Sequence, residues 1–291
     1  MPDAPRSARL EDPLLRGLTD DLRLAHLLAD DADSITMNRF KALDLHVVAK
    51  PDLTPVYDAD TAVEEALRRT LGRARPRDAV HGEEMADTGW GPRRWVIDPI
   101  DGTKNFVRGV PVWATLIALI DDGEPVVGVV SAPALNRRWW ASLGGGAYAG
   151  KTLRSATPCR VSEVSTIADA SLSYAEVGEW VEAGQGQQFV DLLRSVWRSR
   201  AYGDFWSYML LAEGGVDIAA EPQLELHDMA ACSIVVTEAG GSFTDIDGRP
   251  GPLGAGAYAT NGHLHEAVLR QLAPEPIEPE DDDGPPPPAD G

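Results

Sequence analysis

The residues best placed to do chemistry lie in WVIDPIDGTKNF, Trp95 to Phe106. An apolar run there ends in two carboxylates, Asp98 and Asp101, followed at once by Gly102-Thr103. Carboxylates and free backbone carbonyls at a strand end, such as that of Ile100, are ligands for a hard cation. Backbone N–H groups at the start of a following element bind anions. The stretch therefore offers oxygen ligands for a cation and N–H donors for a phosphate side by side. A turn explains the same residues without chemistry, because Asp-Pro and Asp-Gly are common turn dipeptides and Asp is a common cap.

Three further features tilt the balance. HGEE puts Glu83 and Glu84 just past a short strand, DADTAVEE puts Asp60 at a helix start, and ELHDMAA puts Asp228 at the start of an apolar helix. Taken singly, these are a solvated surface pair and two helix caps. Taken together, all sit at element ends, where sites of mixed α/β folds form. Converging carboxylates repel one another unless cations neutralise them. An all-oxygen set selects Mg²⁺ or Mn²⁺ over zinc. His263 and His265 are two apart, share no helix face and fall short of a zinc set, so both are expected at the surface. Trp139-Trp140 is expected in a core or a dimer contact.

The elements that must position these groups follow from pattern. Apolar residues at helical spacing from Leu22 to Ile35 predict a helix over 20–40, capped by Asp20. A second helix is predicted over DADTAVEEALRRTLGRA, ended by Pro76. DAVHG and RRWVID are strands, and Pro99 is expected to end the latter. ATLIALIDDGEPVVGVVSAP is two apolar runs around Asp-Asp-Gly, a hairpin signal, and RRWWASLGGGAYAG continues in β fashion. These make an α+β half with a largely antiparallel sheet over 19–155. From 156 to 273 short β runs alternate with helices, an α/β half. Residues 1–18 are expected to form a loose lead-in.

Composition bounds the rest. The 291 residues carry a formal net charge of −20, which repels phosphate backbones and argues against nucleic-acid partners. The tail from Pro274 to Gly291 is acidic and proline-rich, and is expected to be disordered. No run approaches about 18 uninterrupted apolar residues, so no membrane span is expected. The N-terminus lacks the apolar core of a secretory signal. Cys159 and Cys232 fit no metal spacing, and a reducing cytoplasm is the simpler setting.

WVIDPIDGTKNF resembles the signature of the inositol-monophosphatase superfamily of Mg²⁺-dependent, lithium-sensitive phosphatases. GEE upstream and HDMAA…EAGG downstream resemble its other two motifs, in the same order, and the likeness runs over about residues 20–272. The resemblance implies a layered α-β-α-β-α sandwich, a homodimer and two or three Mg²⁺ per subunit. It implies that Glu83, Asp98 and the Ile100 carbonyl hold one ion, and that Asp98, Asp101 and Asp228 hold a second. Asp60 would support a weaker third. Gly102 and Thr103, with Asp101 and Lys104 beside them, would take the phosphate. Thr103 and Glu83 would orient the attacking water, and Glu221 would contact substrate hydroxyls or amines. The chemistry is then a two-metal in-line displacement that needs no cysteine or histidine nucleophile.

Further segments, among them RFKALDLHVVAKPDLTPVYDAD, SAPALNRRWWA and SRAYGDF, resemble the actinobacterial histidinol-phosphatase branch of that family. Its substrate has a cationic amine and an imidazole, which an acidic pocket with Glu221, Asp228 and Asp204 suits. Arg200 is a further candidate for the phosphate or the pocket rim, or an ordinary surface charge. His227 departs from the family, which usually has Trp before the last metal-binding aspartate. The expectation is a phosphomonoesterase of histidine biosynthesis. Inositol 1-phosphate or another sugar or nucleotide phosphate is the alternative substrate. A non-catalytic phosphate- or metal-binding relative is the third possibility.

Overall fold

A computed structural model describes residues 13–42, 47–49 and 55–273. The expected acidic tail and most of the expected lead-in lie outside the described residues. The first helix, α1, spans Pro13–Arg39 and so starts earlier than its apolar pattern. Pro13 is its first residue, where the missing N–H costs nothing. Asp20 is therefore inside the helix, pairing with Arg23 at 3.0 Å rather than capping. A small antiparallel pair, β1 (Val47–Ala49) and β2 (Pro55–Tyr57), leads into α2 (Asp58–Ala74).

The first large sheet comprises β3 (Ala79–Gly82), β4 (Arg93–Asp101), β5 (Ala114–Asp121), β6 (Glu124–Ala132), β7 (Arg137–Ser142), β8 (Gly146–Gly150) and β9 (Thr157–Pro158), side by side in chain order. Only the β3–β4 pair is parallel. The β5–β6 turn places Asp122 at φ 49° and Gly123 at φ 84°, the double left-handed turn that matches hairpin twist. The short helix α3 (Thr103–Arg108) leaves the end of β4.

The second sheet has the order β11-β10-β12-β14-β13. It is built from β10 (Ser171–Ser173), β11 (Arg198–Arg200), β12 (Ile218–Glu221), β13 (Ser242–Thr244) and β14 (Ala257–Thr260). Its parallel and antiparallel pairings are mixed. Its helices are α4 (Val177–Glu182), α5 (Gly186–Ser195), α6 (Asp204–Ala212), α7 (Leu226–Glu238) and α8 (His265–Leu272).

Side-chain alternation sorts these elements into five layers. Trp95, Ile97, Ile117 and Val129 face α1 and α2, while Val96, Leu116, Ala118 and Val130 face α6 and α7. The same central helices cover Ala219, Phe243 and Ala259 of the second sheet. The opposite face of that sheet, with Leu172, Ile218 and Tyr258, packs on α4, α5 and α8. The result is the α-β-α-β-α sandwich. Trp139 and Trp140 are both core, on opposite faces of β7.

Two local expectations need correction, and one element was not expected. Pro99 does not end β4: the strand runs on to Asp101, with a register shift between Asp98 and Asp101 opposite β5. A bulge removes the need for a Pro99 N–H in the ladder, and its carbonyl accepts from Thr115 Oγ1 at 2.8 Å. His265 is buried, between Thr260 Oγ1 at 3.3 Å and Thr244 Oγ1 at 3.2 Å, and only His263 is exposed. Helix α4 has no counterpart in the sequence pattern. Trp180 holds it, stacked on Phe189 with centroids 4.2 Å apart.

Candidate active site

The site assembles at the end of β4. Its bulge turns both Asp98 and Asp101 toward the central layer, and Gly102 then reverses the chain at φ 81°. A side chain at Gly102 would also place a Cβ 3.0 Å from Val112 O and 3.2 Å from Asp204 Oδ2. Thr103 opens α3 and its hydroxyl donates to the Ile100 carbonyl at 2.8 Å. The turn that carries Glu83 follows β3, where Glu83 N donates to Ile97 O at 3.2 Å. Behind it stands Glu64, fully buried, which accepts from Arg68 Nε at 2.7 Å and from Glu84 N at 2.8 Å.

Asp228 is a helix cap and also joins the acidic cluster. It is the third residue of α7, and Oδ2 accepts from Glu225 N at 2.8 Å in a reciprocal capping box. One oxygen from each of Asp98, Asp101 and Asp228 lies within 4.8 Å of the other two. Asp60, in the first turn of α2, is buried, and both it and the half-buried Glu83 lie close enough to raise the Asp98 pKa. His227 sits beside Asp228, Nε2 to Oδ1 3.7 Å, with its ring 6.1 Å from that of His81.

The electrostatics show what this cluster lacks. Burial, then Glu83, Asp101, Asp228 and Asp60, holds the Asp98 carboxyl well above the usual range. Burial and Asp204 do the same to Asp101, although the Phe205 amide donates to its Oδ2 at 2.7 Å. Asp228 is raised by burial and partly relieved by His227. Asp98 Oδ1 is buried with no hydrogen-bond partner. An all-oxygen, mutually repelling and partly unsatisfied set fits a small divalent cation such as Mg²⁺.

A cavity of about 370 Å³ opens in front of this cluster. Glu83, Asp101, Gly102, Thr103 and Asp228 line one side, with Asp60 and Asp98 buried behind. Asp204 and Glu221 line the other. Asp204 begins α6 at φ 50°, accepts from Asn105 Nδ2 at 3.1 Å, and burial pushes its carboxyl up to about 6. Glu221 ends β12, 3% exposed, with Oε1 lacking a partner, and is raised by burial and then by Asp204. Lys104 lies at the rim, its Nζ 2.5 Å from Glu176 Oε1. Arg200 stands apart from the others. It is exposed on the edge strand β11, outside the cavity wall, and donates to the Ser199 carbonyl at 2.7 Å.

A larger cleft, about 620 Å³, lies at the far end of α7 beside Glu238 and Gly240. It holds none of the clustered carboxylates and, among the described residues, no buried side-chain polar atom without a partner. Chemistry, not size, selects the smaller cavity. Sequence reasoning missed Glu64, Glu176 and Glu179 as parts of this neighbourhood. The Glu64–Arg68 spacing, four apart on a helix, was the one available signal.

A model of the inositol monophosphatase family matches residues 19–275. The chain belongs to the inositol monophosphatase family. Family members depend on a metal ion, generally Mg²⁺, in agreement with the oxygen cluster. The chain is 63% identical over 257 residues to the histidinol-phosphatase of Streptomyces coelicolor, covering 87% of this chain and 97% of that one. It is 59% identical over 256 residues to the histidinol-phosphatase of Mycobacterium tuberculosis, covering 87% and 98%. Among solved structures, the extragenic suppressor protein SuhB of Bartonella henselae superposes with a TM-score of 0.80 at 26% identity, covering 88% of this chain and all of that one.

Proposed function

We propose that the chain is a Mg²⁺-dependent phosphoric monoester hydrolase that converts L-histidinol phosphate to L-histidinol and phosphate. High identity to two histidinol-phosphatases over nearly their whole length supports the substrate. The carrying observation is the charge of the cavity. Away from the metal cluster its wall presents Asp204 and the buried, partly unsatisfied Glu221. Among the described residues its only basic lining residue, Lys104, is engaged by Glu176. Such a wall favours a cationic alcohol over a neutral polyol.

The roles divide by position. Glu83, Asp98 and the Ile100 carbonyl would hold one ion, Asp98, Asp101 and Asp228 a second, and Asp60 would support a third; Mn²⁺ suits the same ligands. When bound, the ions neutralise substrate and protein charge, activate water and stabilise the leaving oxygen. Gly102 and Thr103 present backbone N–H groups to the phosphate at the start of α3, with Lys104 flanking it. Thr103, already anchored on Ile100 O, and Glu83 orient the water. Glu221 and Asp204 receive the substrate amine. We place the enzyme in histidine biosynthesis in the cytoplasm, as a homodimer and sensitive to lithium, on family resemblance.

The test is turnover of histidinol phosphate and inositol 1-phosphate by the purified enzyme with Mg²⁺. The expected kcat/KM favours histidinol phosphate by about tenfold or more. A preference for the inositol ester overturns the assignment. Asp98→Asn should abolish turnover while leaving the fold intact.

A further inference from the structure

Helix α4 brings a second acid to the cavity that the motif residues do not include. Glu179 is half-buried in its first turn and lines the wall beside Asp204 and Glu221. Glu176, three residues earlier, is held by Lys104 at 2.5 Å. Among the described residues, that pair engages the one cation lining the cavity, and the Glu179 side chain makes no hydrogen bond or ion pair, though the Lys104 charge reaches it. Trp180, buried and stacked on Phe189, fixes the helix that carries it.

We propose that Glu179 is a specificity-determining residue: with Glu221, it binds the nitrogen groups of the substrate's alcohol half. This rests on the histidinol-phosphate assignment above. The two acids approach one space from different layers, Glu221 from the end of β12 and Glu179 from the outer helix α4. They are close enough that Glu179 raises the Glu221 pKa. A neutral polyol brings no positive charge to these two carboxylates, which only the Lys104 charge near Glu179 and the Tyr208 hydroxyl near Glu221 relieve, whereas an amino-imidazole alcohol offers two N–H groups at separate positions. Glu221, deeper and 3% exposed, suits the ammonium, and Glu179, nearer the rim, suits the imidazole. Burial and Glu176 push the Glu179 carboxyl up, a preference for added positive charge that a cationic ligand also satisfies.

The experiment compares wild type with Glu179→Gln and Glu179→Asp on histidinol phosphate and inositol 1-phosphate at saturating Mg²⁺. For Glu179→Gln, KM for histidinol phosphate is expected to rise about tenfold, the scale of one charge-assisted hydrogen bond, with kcat little changed. KM for the inositol ester is expected to move by less than about twofold, because a neutral alcohol makes no charged contact there. Glu179→Asp retains the charge and should recover part of the loss. Calorimetry of histidinol, the product without phosphate, should show the same weakening. Equal shifts for both esters, or no shift for either, overturn the proposal while leaving the substrate assignment intact. A wild-type preference for the inositol ester overturns both.

Discussion

The amide of Phe205 donates to Asp101 Oδ2 at 2.7 Å, joining the end of β4 to the start of α6. Asp101 thus has a fixed donor from the second half of the chain. Asp98 has none on Oδ1 and feels four neighbouring acids. Asp98 is therefore the costly member of the metal-free cluster. Asp98→Asn should raise the melting temperature of chelator-treated protein by about 2–4 °C, for a relief near 1 kcal/mol. The same variant should lose the stabilisation that Mg²⁺ gives the wild type. Calorimetric melts with and without Mg²⁺ check both, and a metal-free variant that melts below wild type refutes the idea.

Asp204 gives a pH dependence with a definite sign. Its folded pKa, about 6, lies above the ordinary 3.8, so the folded state binds the extra proton between those values. Its contribution is complete below the lower value and lost as pH rises through the upper one. Asp204→Asn removes that slope, and asparagine tolerates the left-handed backbone at this position. From pH 4 to pH 7 the metal-free variant should gain up to about 3 kcal/mol relative to wild type. Urea denaturation across that range measures the difference, and parallel curves contradict it.

Gly82 allows Glu64 to brace the Glu83 turn. A Cβ on Gly82 would lie 2.2 Å from Glu64 Oε1, and that carboxylate is tied to Arg68 and to Glu84 N. Gly82→Ala should cost about 1–3 kcal/mol by overpacking. If Glu83 is a metal ligand, displaced support should weaken Mg²⁺ binding by about tenfold. Titration calorimetry with Mg²⁺ reads this directly, and an unchanged affinity separates Glu64 from the metal site.

Arg138 tests the scaffold far from the chemistry. It donates to Asp30 at 2.9 Å, Asp33 at 2.7 Å and Ser131 at 2.9 Å, and lies 3.2 Å from His26 Nδ1. Arg138→Met leaves Asp33 without its cation in a largely buried place and should cost about 3–5 kcal/mol. KM should stay as in wild type. Adding Asp33→Leu should restore much of the lost stability, as a double-mutant cycle would show.

Much of this architecture was legible in the sequence because one period dominates each element. The short apolar runs of β4 to β7 and the Asp-Gly turn announce a meandering sheet, and runs apolar on both faces call for helices on either side. The carboxylates were legible because each sits at an element end. What stayed hidden depends on contacts between distant residues. A bulge lets β4 pass Pro99, which strand rules forbid in a regular ladder. His265 is buried because two threonines from β13 and β14 meet its ring nitrogens. Helix α4 contains glycine and β-branched residues in only six positions, so its helicity comes from Trp180 packing and not from propensity. Arg200 looked useful beside the motif residues, but an edge strand carries it away from the cavity.

The placement of α4 bears on how such an enzyme changes its diet over generations. The clustered carboxylates belong to β4 and α7, deep in the layered core, where their apolar neighbours leave little room for change. Glu179 belongs to a six-residue helix of the outer layer. Drift in that short segment can retune which alcohol is accepted while the hydrolytic apparatus is inherited intact.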